Sequence, residues 1–477
     1  MIGLLLALLY TSTARVNGLA VQDGILWAAT SGGVEKYDLA TGIRQRVFTS
    51  EDGLDSNEAL RIRHDGALRV RTAASECTLT AGERFSCAAA APLAPDPPSL
   101  RRLAHGARET QGLRPGGHEI VATDGAGLWL DGRRITPPGQ ICANHVEALA
   151  TFRGALWVGT FDGGLCVLER ARFRPIPAPF RLVNDLLATP DGLWVAAGEG
   201  LFFTRDGRTF RRESQVRERG VNRLARSGGR VYATSPVALY AIDRGRVRRW
   251  LRPAGSTALQ AVAASGPHLW LASEDCGVIR LRAGRFESFD RASGLPSSWV
   301  VDVAPAPGGG VWAATLRDGV VRLGPDGGVR ERRAPGAFGL RLYADGSKVL
   351  FGTQQGLDGS ALRLPDPRVH ALLRTGEGLW IGTEGGLLLV EPEQGQPCRM
   401  FEHVSLRGGA SRMPRCQARA RAVICSRIQA SERRRPSASI GRRACSFPSS
   451  ARRWRSTASQ EGARCSTSAA GRGAFSP

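Results

Sequence analysis

One short pattern of apolar and polar positions recurs along most of this chain. An apolar residue, a tryptophan, a second apolar residue, a glycine or alanine and a small residue, usually Thr or Ser, follow one another in six segments: Leu26–Thr30, Leu156–Thr160, Leu193–Ala197, Leu269–Ser273, Val311–Thr315 and Leu379–Thr383. Weaker copies without the tryptophan end at Thr72, Thr123, Thr234 and Thr353. The ten copies are 30 to 51 residues apart, which is typical of one four-stranded unit per repeat.

The residues around each copy complete such a unit. An apolar alternation precedes it, as in Val146–Leu149, and a glycine-rich turn and further apolar segments follow, as at Gly163 and Gly164. Short segments of period two that are separated by glycine turns predict hairpins. The sequence therefore predicts an all-β protein, a β-propeller of four-stranded antiparallel blades.

The tryptophan and the small residue of each copy are two positions apart and so share one face of a strand. A large ring beside a glycine or alanine suits stacked blades, with the tryptophan of one blade filling the depression at the small residue of its neighbour. We therefore interpret the repeated tryptophans as core rather than as a ligand platform; they are Trp27, Trp157, Trp194, Trp270, Trp312 and Trp380.

The repeat resembles that of the two-component regulator propeller family, whose blades carry a Leu-Trp-x-Gly-Thr strand followed by a double glycine. Leu156–Thr160 with Gly163 and Gly164 matches this pattern, and Glu51–Asn57 and Ser293–Trp299 resemble the segment between blades. The resemblance covers roughly residues 16 to 395. It implies an extracytoplasmic, ligand-binding sensor that takes part in signal transduction.

The chain departs from that family in several respects. No membrane-spanning stretch, kinase signature or receiver domain follows the repeats. Ten blades also exceed the four to eight of an ordinary ring. Two arrangements are open: a seven-bladed ring with three blades of a second ring, or one unusually large or irregular ring.

Both ends of the chain differ from the repeats, which we place at residues 16–404. Residues 1–15 begin with an apolar run that predicts either a truncated signal peptide or a first buried strand. Residues 405–477 are rich in Arg, Ser and Ala without periodicity, which indicates either a disordered basic tail or a frameshifted reading of a chain that continues with more blades.

Charge and cysteines limit the choice of compartment and partner. The net charge is +22, but the segment from Arg407 to the end holds sixteen arginines against two acids, so nucleic acid is not the expected partner. Cys77 and Cys87 are close enough to bridge one hairpin, whereas Cys142, Cys166, Cys276 and Cys398 are scattered and predicted to be free thiols. We expect a periplasmic or secreted protein, with a cytoplasmic location as the alternative.

No segment carries a recognised catalytic motif, and we predict no cofactor and no metal site. His145-Val146-Glu147 resembles half of a metal motif, but it coincides with the first strand of a blade, where a structural role is expected. A ligand site is predicted where the innermost strands begin around the central channel. Five residues lie in or near such segments: Asn57, Asn144, Asn184, Asn222 and Trp299.

These observations favour a non-catalytic propeller that binds or senses a small molecule, glycan or peptide and passes that state to a partner protein. One alternative is an enzyme similar to the streptogramin lyases, which need a histidine and acids at one channel mouth; the sequence shows no such cluster. The other is a scaffold, or a truncated chain without activity of its own.

Overall fold

The computed structural model describes residues 7–91, 93, 108–253, 256, 258–345, 348–360, 362 and 364–390, all within one compact unit. Its regular structure is antiparallel β-sheet with three short 3-10 turns at Ser50–Asp52, Pro115–Gly117 and Pro307–Gly309. The predicted tail at 405–477, the first six residues and Cys398 lie outside the described residues. The all-β prediction is confirmed.

The described strands form ten sheets, nine of four strands and one of three. Three sheets come first along the chain after an initial strand, and we call them arc blades 1 to 3. Their strands are β2 to β5 at Val16–Gln22, Ile25–Thr30, Gly33–Asp38 and Arg44–Phe48; β6 to β9 at Arg61–His64, Leu68–Arg71, Ser75–Leu79 and Phe85–Ala89; and β10 to β13 at Arg108–Leu113, Ile120–Asp124, Leu128–Leu130 and Arg133–Arg134.

The other seven sheets are ring blades 1 to 7. Blades 1 to 3 hold β14 to β25 at Val146–Phe152, Ala155–Thr160, Leu165–Glu169, Arg172–Ile176, Val183–Thr189, Gly192–Ala197, Gly200–Thr204, Arg211–Arg212, Arg223–Ser227, Arg230–Ser235, Ala238–Asp243 and Arg246–Leu251. Blades 4 to 7 hold β26 to β39 at Leu259–Ser265, His268–Ser273, Val278–Arg282, Arg285–Phe289, Val300–Pro305, Val311–Thr315, Val320–Leu323, Val329–Arg333, Gly339–Asp345, Lys348–Thr353, Gly356–Leu357, Val369–Thr375, Gly378–Thr383 and Gly386–Val390.

The first strand of the chain belongs to the last blade of the ring. Strand β1, Ala7–Tyr10, pairs antiparallel with β39, so that Leu8 lies opposite Leu389. Ring blade 7 thereby gains its fourth, outermost strand, and the three arc blades are inserted between β1 and ring blade 1. Of the two predictions for the N-terminal apolar run, its described part forms the strand.

The apolar core shows which blades are neighbours. Nine clusters of buried apolar residues occur in the described chain, one at each interface between blades. Seven of them join the ring blades, including a cluster in which Trp380 of blade 7 packs with Val146 and Val158 of blade 1, so the ring is closed. Two clusters join the three arc blades. A seven-bladed ring with a partial second ring is therefore the arrangement present.

The order of blades in the arc differs from their order in the sequence. Asn17 of arc blade 1 donates its side-chain amide to the carbonyl of Ala59, which precedes arc blade 2, at 2.8 Å. In the same way, Thr110 of arc blade 3 donates its hydroxyl to the carbonyl of Val16 in arc blade 1, at 2.5 Å. The order of the blades along the arc is therefore 3, 1, 2. Arc blade 3 has the position that the last blade would have in a closed ring beginning with arc blades 1 and 2.

The repeated tryptophans are buried, at most 9 % exposed, in the interfaces between blades. The small residue of the repeat has a different neighbour from the one predicted. A methyl group at Gly382 would lie 2.6 Å from Cγ1 of Val146, and one at Gly159 would collide with Val183. The small residue therefore makes room for the first valine of the next blade, not for its tryptophan.

The threonine that ends the repeat explains why a double glycine follows it. Thr160 donates its hydroxyl to the carbonyl of Gly164 at 2.9 Å and accepts from the amide of Gly163 at 3.1 Å. Gly164 has a φ of 76°, in the left-handed region where a side chain is unfavourable. The repeat motif thus forms a turn between the second and third strands of a blade, and the threonine of the motif closes this turn with its own hydrogen bonds.

One predicted disulfide is present and one predicted thiol is not free. Cys77 and Cys87 are opposite each other on β8 and β9 and form a disulfide. Cys142 and Cys166 are free thiols, as predicted. Cys276 is disulfide-bonded, so the prediction of a free thiol at that position was wrong.

Candidate functional site

The innermost strands of the ring begin at one rim, which we call the upper rim. At this rim the turn between the second and third strands meets the residue before the innermost strand: the amide of Phe161 donates to the carbonyl of His145, and that of Leu316 to the carbonyl of Trp299, both at 3.0 Å. Phe161 and Trp299 are 47 % and 46 % exposed there. The upper rim thus presents two large aromatic side chains to solvent.

A register shift lies just inside the upper rim in six ring blades. The pairing skips one residue near the start of each innermost strand, and the skipped residues are Glu147, Asn184, Gln260, Val301, Leu340 and His370. A bulge of this kind changes the direction in which a side chain points and bends the strand. Each bulged residue is only partly buried although it lies on an innermost strand.

A layer of charged side chains follows one residue deeper. Ring blades 2, 3, 5 and 6 contribute Asp185, Arg223, Asp302 and Arg341 at this position, while blades 1, 4 and 7 have alanine there. Nη2 of Arg341 donates to Oδ1 of Asp185 at 3.1 Å, and Nε of Arg341 lies 3.8 Å from Oδ2 of Asp302. Since blades 2 and 6 are not neighbours, the Arg341–Asp185 contact spans the central channel.

The two aspartates also fasten neighbouring blades. Asp185 accepts a hydrogen bond from the backbone amide of Leu224 at 2.9 Å, and Asp302 accepts one from Leu342 at 2.8 Å. Burial alone would lower the pKa of Arg341, but the charges of Asp185 and Asp302 raise it overall. The charged layer is therefore built into the interfaces of four blades.

Two guanidinium nitrogens in this layer have no protein partner among the described residues. Nε of Arg223 and Nη1 of Arg341 are buried and make no hydrogen bond. Burial, and then the charge of Arg341, lower the pKa of Arg223. Buried donors are normally satisfied, because leaving one unpaired costs about 1–3 kcal/mol. The channel therefore offers two donors that an acceptor group could fill.

A second polar group lies at the junction of ring blades 1 and 7. Nε2 of His145 is 2.8 Å from Oε1 of Glu147, and Nδ1 of His370 is 3.6 Å from the same oxygen. Nε2 of His370 lies 3.0 Å from Oε1 of Glu384. The two imidazole centroids are 4.8 Å apart, and His145 stacks on Phe161 at 4.9 Å. We call His145, Glu147, His370 and Glu384 the histidine–glutamate cluster.

The charges of this cluster are interdependent. Burial would raise the pKa of Glu147, but its contact with His145 and the charges of His370 and Arg223 lower it to about 2. Burial would lower the pKa of His145, but the carboxylate of Glu147 and then that of Glu384 raise it overall. An ionised carboxylate therefore lies between two imidazoles, an arrangement suited to holding a proton or a cation.

The predicted site residues lie around these groups. The side-chain amides of Asn184 and Asn222 donate to the carbonyls of Val221 and Leu259 in the next blade, each at 2.8 Å. They are clamps between blades, equivalent to Asn17. Trp299 lies on the upper rim, exposed. A ligand-binding role for these residues stays a prediction.

Asn57 and Asn144 join the arc to the ring. Asn57 is fully buried, accepts from the amide of Ser50 at 2.7 Å and donates to the carbonyl of Gly385 in ring blade 7 at 3.3 Å. Asn144 accepts from the amide of Ser12 at 2.6 Å and donates to the carbonyl of Ser31 at 2.7 Å. These amides hold backbone groups together, and their predicted ligand role is likewise untested.

Sequence reasoning missed the charged layer for one physical reason. Of the histidine–glutamate cluster it named His145 and Glu147 with a structural role, and it missed their meeting with His370. Strict alternation places Asp185, Arg223, Asp302 and Arg341 on the same face as the buried residue two positions earlier, which predicts a core position rather than a channel position. In ring blades 2, 5 and 6 the bulge breaks that alternation. A charged residue two positions after an apolar strand start, in four blades, was the available signal.

The comparisons with known proteins give likenesses to several solved structures. The extracellular domain of a protein described as the hybrid two-component system BT4673 of B. thetaiotaomicron aligns over 81 % of this chain and 72 % of its own at 13 % identity, with a TM-score of 0.44. The corresponding domain of BT3049 from B. thetaiotaomicron aligns over 78 % and 61 % at 15 % identity and 0.45. Virginiamycin B lyase from Staphylococcus aureus aligns over 52 % and 96 % at 15 % identity and 0.45.

No protein-family model matches the chain, and no curated protein matches it either. At these identities and TM-scores, the likenesses transfer neither a ligand nor an activity to this chain. Membership of the regulator propeller family therefore stays a prediction. Within the described part of the chain, no helix is long and apolar enough to cross a membrane.

Proposed function

We propose that this protein is a non-catalytic, ligand-binding propeller of the sensing type, whose ligand binds in the channel of the ring on the upper-rim side. A small molecule, glycan or peptide with oxygen acceptors is the expected ligand. A partner protein would respond to the occupied state. The proposal rests on the charged layer and not on the structural likenesses.

The observation that carries the proposal is the pair of unpartnered donors, Nε of Arg223 and Nη1 of Arg341. A channel that served only to close the ring would be expected to be apolar or internally satisfied. A carboxylate, carbonyl or hydroxyl oxygen would satisfy these donors, and an ionised acceptor would bind more strongly than a neutral one. Trp299 and Phe161 on the same rim offer faces for the less polar part of such a ligand.

A periplasmic or secreted location accompanies the proposal. The Cys77–Cys87 disulfide supports it, because disulfides form and persist in oxidising compartments. A reducing cytoplasm would be expected to open this bond. Cell fractionation of the tagged protein, with thiol labelling before lysis, tests the location directly.

Ligand binding is tested by differential scanning fluorimetry with three panels: acidic oligosaccharides, neutral oligosaccharides and short peptides. Hits are measured again by calorimetry on a variant that combines Arg341→Met with Asp185→Asn, which removes one donor group together with one of its two partner charges and leaves Asp302 as the other. The control is Arg174→Ala in an exposed pair with Glu169. We expect at least a tenfold weaker affinity in the double variant and no change in the control. Equal affinity in both would overturn the proposed site.

The histidine–glutamate cluster favours a second candidate, an enzyme of the lyase type. The sequence showed no clustered histidines and acids, yet the fold brings His145, His370 and Glu147 to one mouth of the channel. Mass spectrometry of a bound ligand after prolonged incubation separates the candidates. Unchanged ligand supports the sensor. Conversion that His370→Ala abolishes supports the enzyme.

A further inference from the structure

The histidine–glutamate cluster holds more ionisable side chains than the start of a strand requires. His145 immediately precedes β14 and Glu147 is the bulged residue of that strand, whereas His370 is the bulged residue of β37. One nitrogen or oxygen atom from each of the three lies within 4.8 Å of the other two. The three groups therefore converge from the first and last blades of the ring.

We propose that His145, Glu147 and His370 bind one divalent transition-metal ion, with zinc as the expected ion. Imidazole nitrogen and carboxylate oxygen are ligands that zinc accepts, and two histidines with one glutamate form a known three-ligand set. Such a site has a fourth coordination position for water or for an oxygen of a ligand. This inference concerns a separate set of residues and goes beyond the proposed function.

The spacing of the atoms is compatible with a shared metal ion. Ligand atoms bound at 2.0–2.1 Å in a tetrahedral site are roughly 3.3 Å from one another. The separations to Oε1 of Glu147, 2.8 Å from His145 and 3.6 Å from His370, lie on either side of that value. Nε2 of His145 is buried and makes no hydrogen bond in spite of its closeness to Glu147. In its deprotonated form this nitrogen can bind an ion that Glu147 shares.

Glu384 supplies the outer contact that a metal-binding histidine usually has. Its Oε1 lies 3.0 Å from Nε2 of His370, so a proton on that nitrogen leaves Nδ1 with a lone pair on the side of Glu147. The other oxygen of Glu384 is paired with Nη1 of Arg368 at 2.5 Å. A carboxylate behind a ligating imidazole fixes its tautomer and orientation, and its loss typically weakens metal binding 10- to 100-fold.

A metal at this position would join ring blades 1 and 7. That interface closes the ring, since blade 7 is the last along the chain and is completed by β1. An ion bound only by the folded state stabilises that state by RT ln(1 + [L]/Kd), where [L] is the concentration of free ion. Zinc should therefore raise the unfolding temperature of the metal-stripped protein, and a chelator should reverse the rise.

The test begins with full-length protein stripped by EDTA dialysis. Zinc stoichiometry is measured by elemental analysis and calorimetry, and the visible spectrum with cobalt reports the ligand type. We expect one ion per chain and a tetrahedral cobalt spectrum without a thiolate charge-transfer band. His145→Ala, His370→Ala and Glu147→Gln should each weaken zinc binding about 100-fold, and Glu384→Gln 10- to 100-fold. The matched control is His118→Ala, at an exposed pair with Asp131.

Each outcome decides the matter. No stoichiometric zinc in the wild type, a cobalt–thiolate band, or equal affinity in the control and the ligand variants would overturn the proposal. If an alanine variant does not fold, Glu384→Gln, which leaves all three ligands in place, and the wild-type cobalt spectrum still decide. A loss confined to the ligand and Glu384 variants supports it.

Discussion

The ion pair between Arg341 and Asp185 crosses the channel, and a double-mutant cycle can measure what it contributes to the ring. Their side chains are 17 % and 9 % exposed, and Asp302 is 6 % exposed. Arg341→Met would leave two buried carboxylates without their counter-charge. Breaking a buried pair in this way costs about 3–5 kcal/mol. Because a bulged strand start leaves some access to water, we expect about 3 kcal/mol.

The second arm of the cycle is milder. In Asp185→Asn the amide oxygen can still accept from Leu224, and Arg341 keeps its contact with Asp302. We expect this change to cost about 1–2 kcal/mol, and the double variant to cost less than the sum of the two, with a coupling energy of about 1–3 kcal/mol. The fall in stability should appear in the urea midpoint with little change in slope.

Equilibrium urea unfolding followed by tryptophan fluorescence is the assay, because the repeated tryptophans lie in the blade interfaces. The exposed pair of Arg174 with Glu169 serves as the reference, since exposed pairs contribute about 0–1 kcal/mol. If the coupling energy between Arg341 and Asp185 is no larger than in this reference, the cross-channel pair does not hold the ring, and the reasoning is refuted.

Three further predictions concern the packing of the blades. Trp270→Ala, which removes a fully buried indole, should lower the free energy of unfolding by about 3–5 kcal/mol, whereas Trp299→Ala on the exposed rim should not. Similar urea midpoints for the two variants would contradict the core assignment. Deleting residues 1–10 should leave β39 as an unpaired edge and cause concentration-dependent association in size-exclusion chromatography. A monodisperse variant with unchanged thermal stability would argue against closure by β1. Replacing both Cys77 and Cys87 by alanine should destabilise arc blade 2 by about 2–3 kcal/mol, seen as faster hydrogen exchange there and not in the ring; unchanged protection would count against it.

The sequence by itself determined the all-β class, the blade as repeating unit and the burial of the tryptophans. These depend on local rules: period-two alternation, glycine turns, and turns closed by a threonine hydroxyl, as between Thr160 and Gly164. It also predicted the Cys77–Cys87 bridge, because two residues on one hairpin are near each other whatever the rest of the fold does. The repeats indicated about ten blades, but neither the final count nor the arrangement of those blades followed from them.

Only the tertiary structure decided how the blades are grouped and what lines the channel. Closure depends on β1 pairing with β39, a contact between the two ends of the described chain that no local pattern encodes. The positions of Arg341 and Asp185 depend on a bulge that interrupts the alternation, and the meeting of His145 with His370 depends on ring blade 7 returning to blade 1. A one-dimensional period specifies each blade, whereas the site arises where non-consecutive blades face one another.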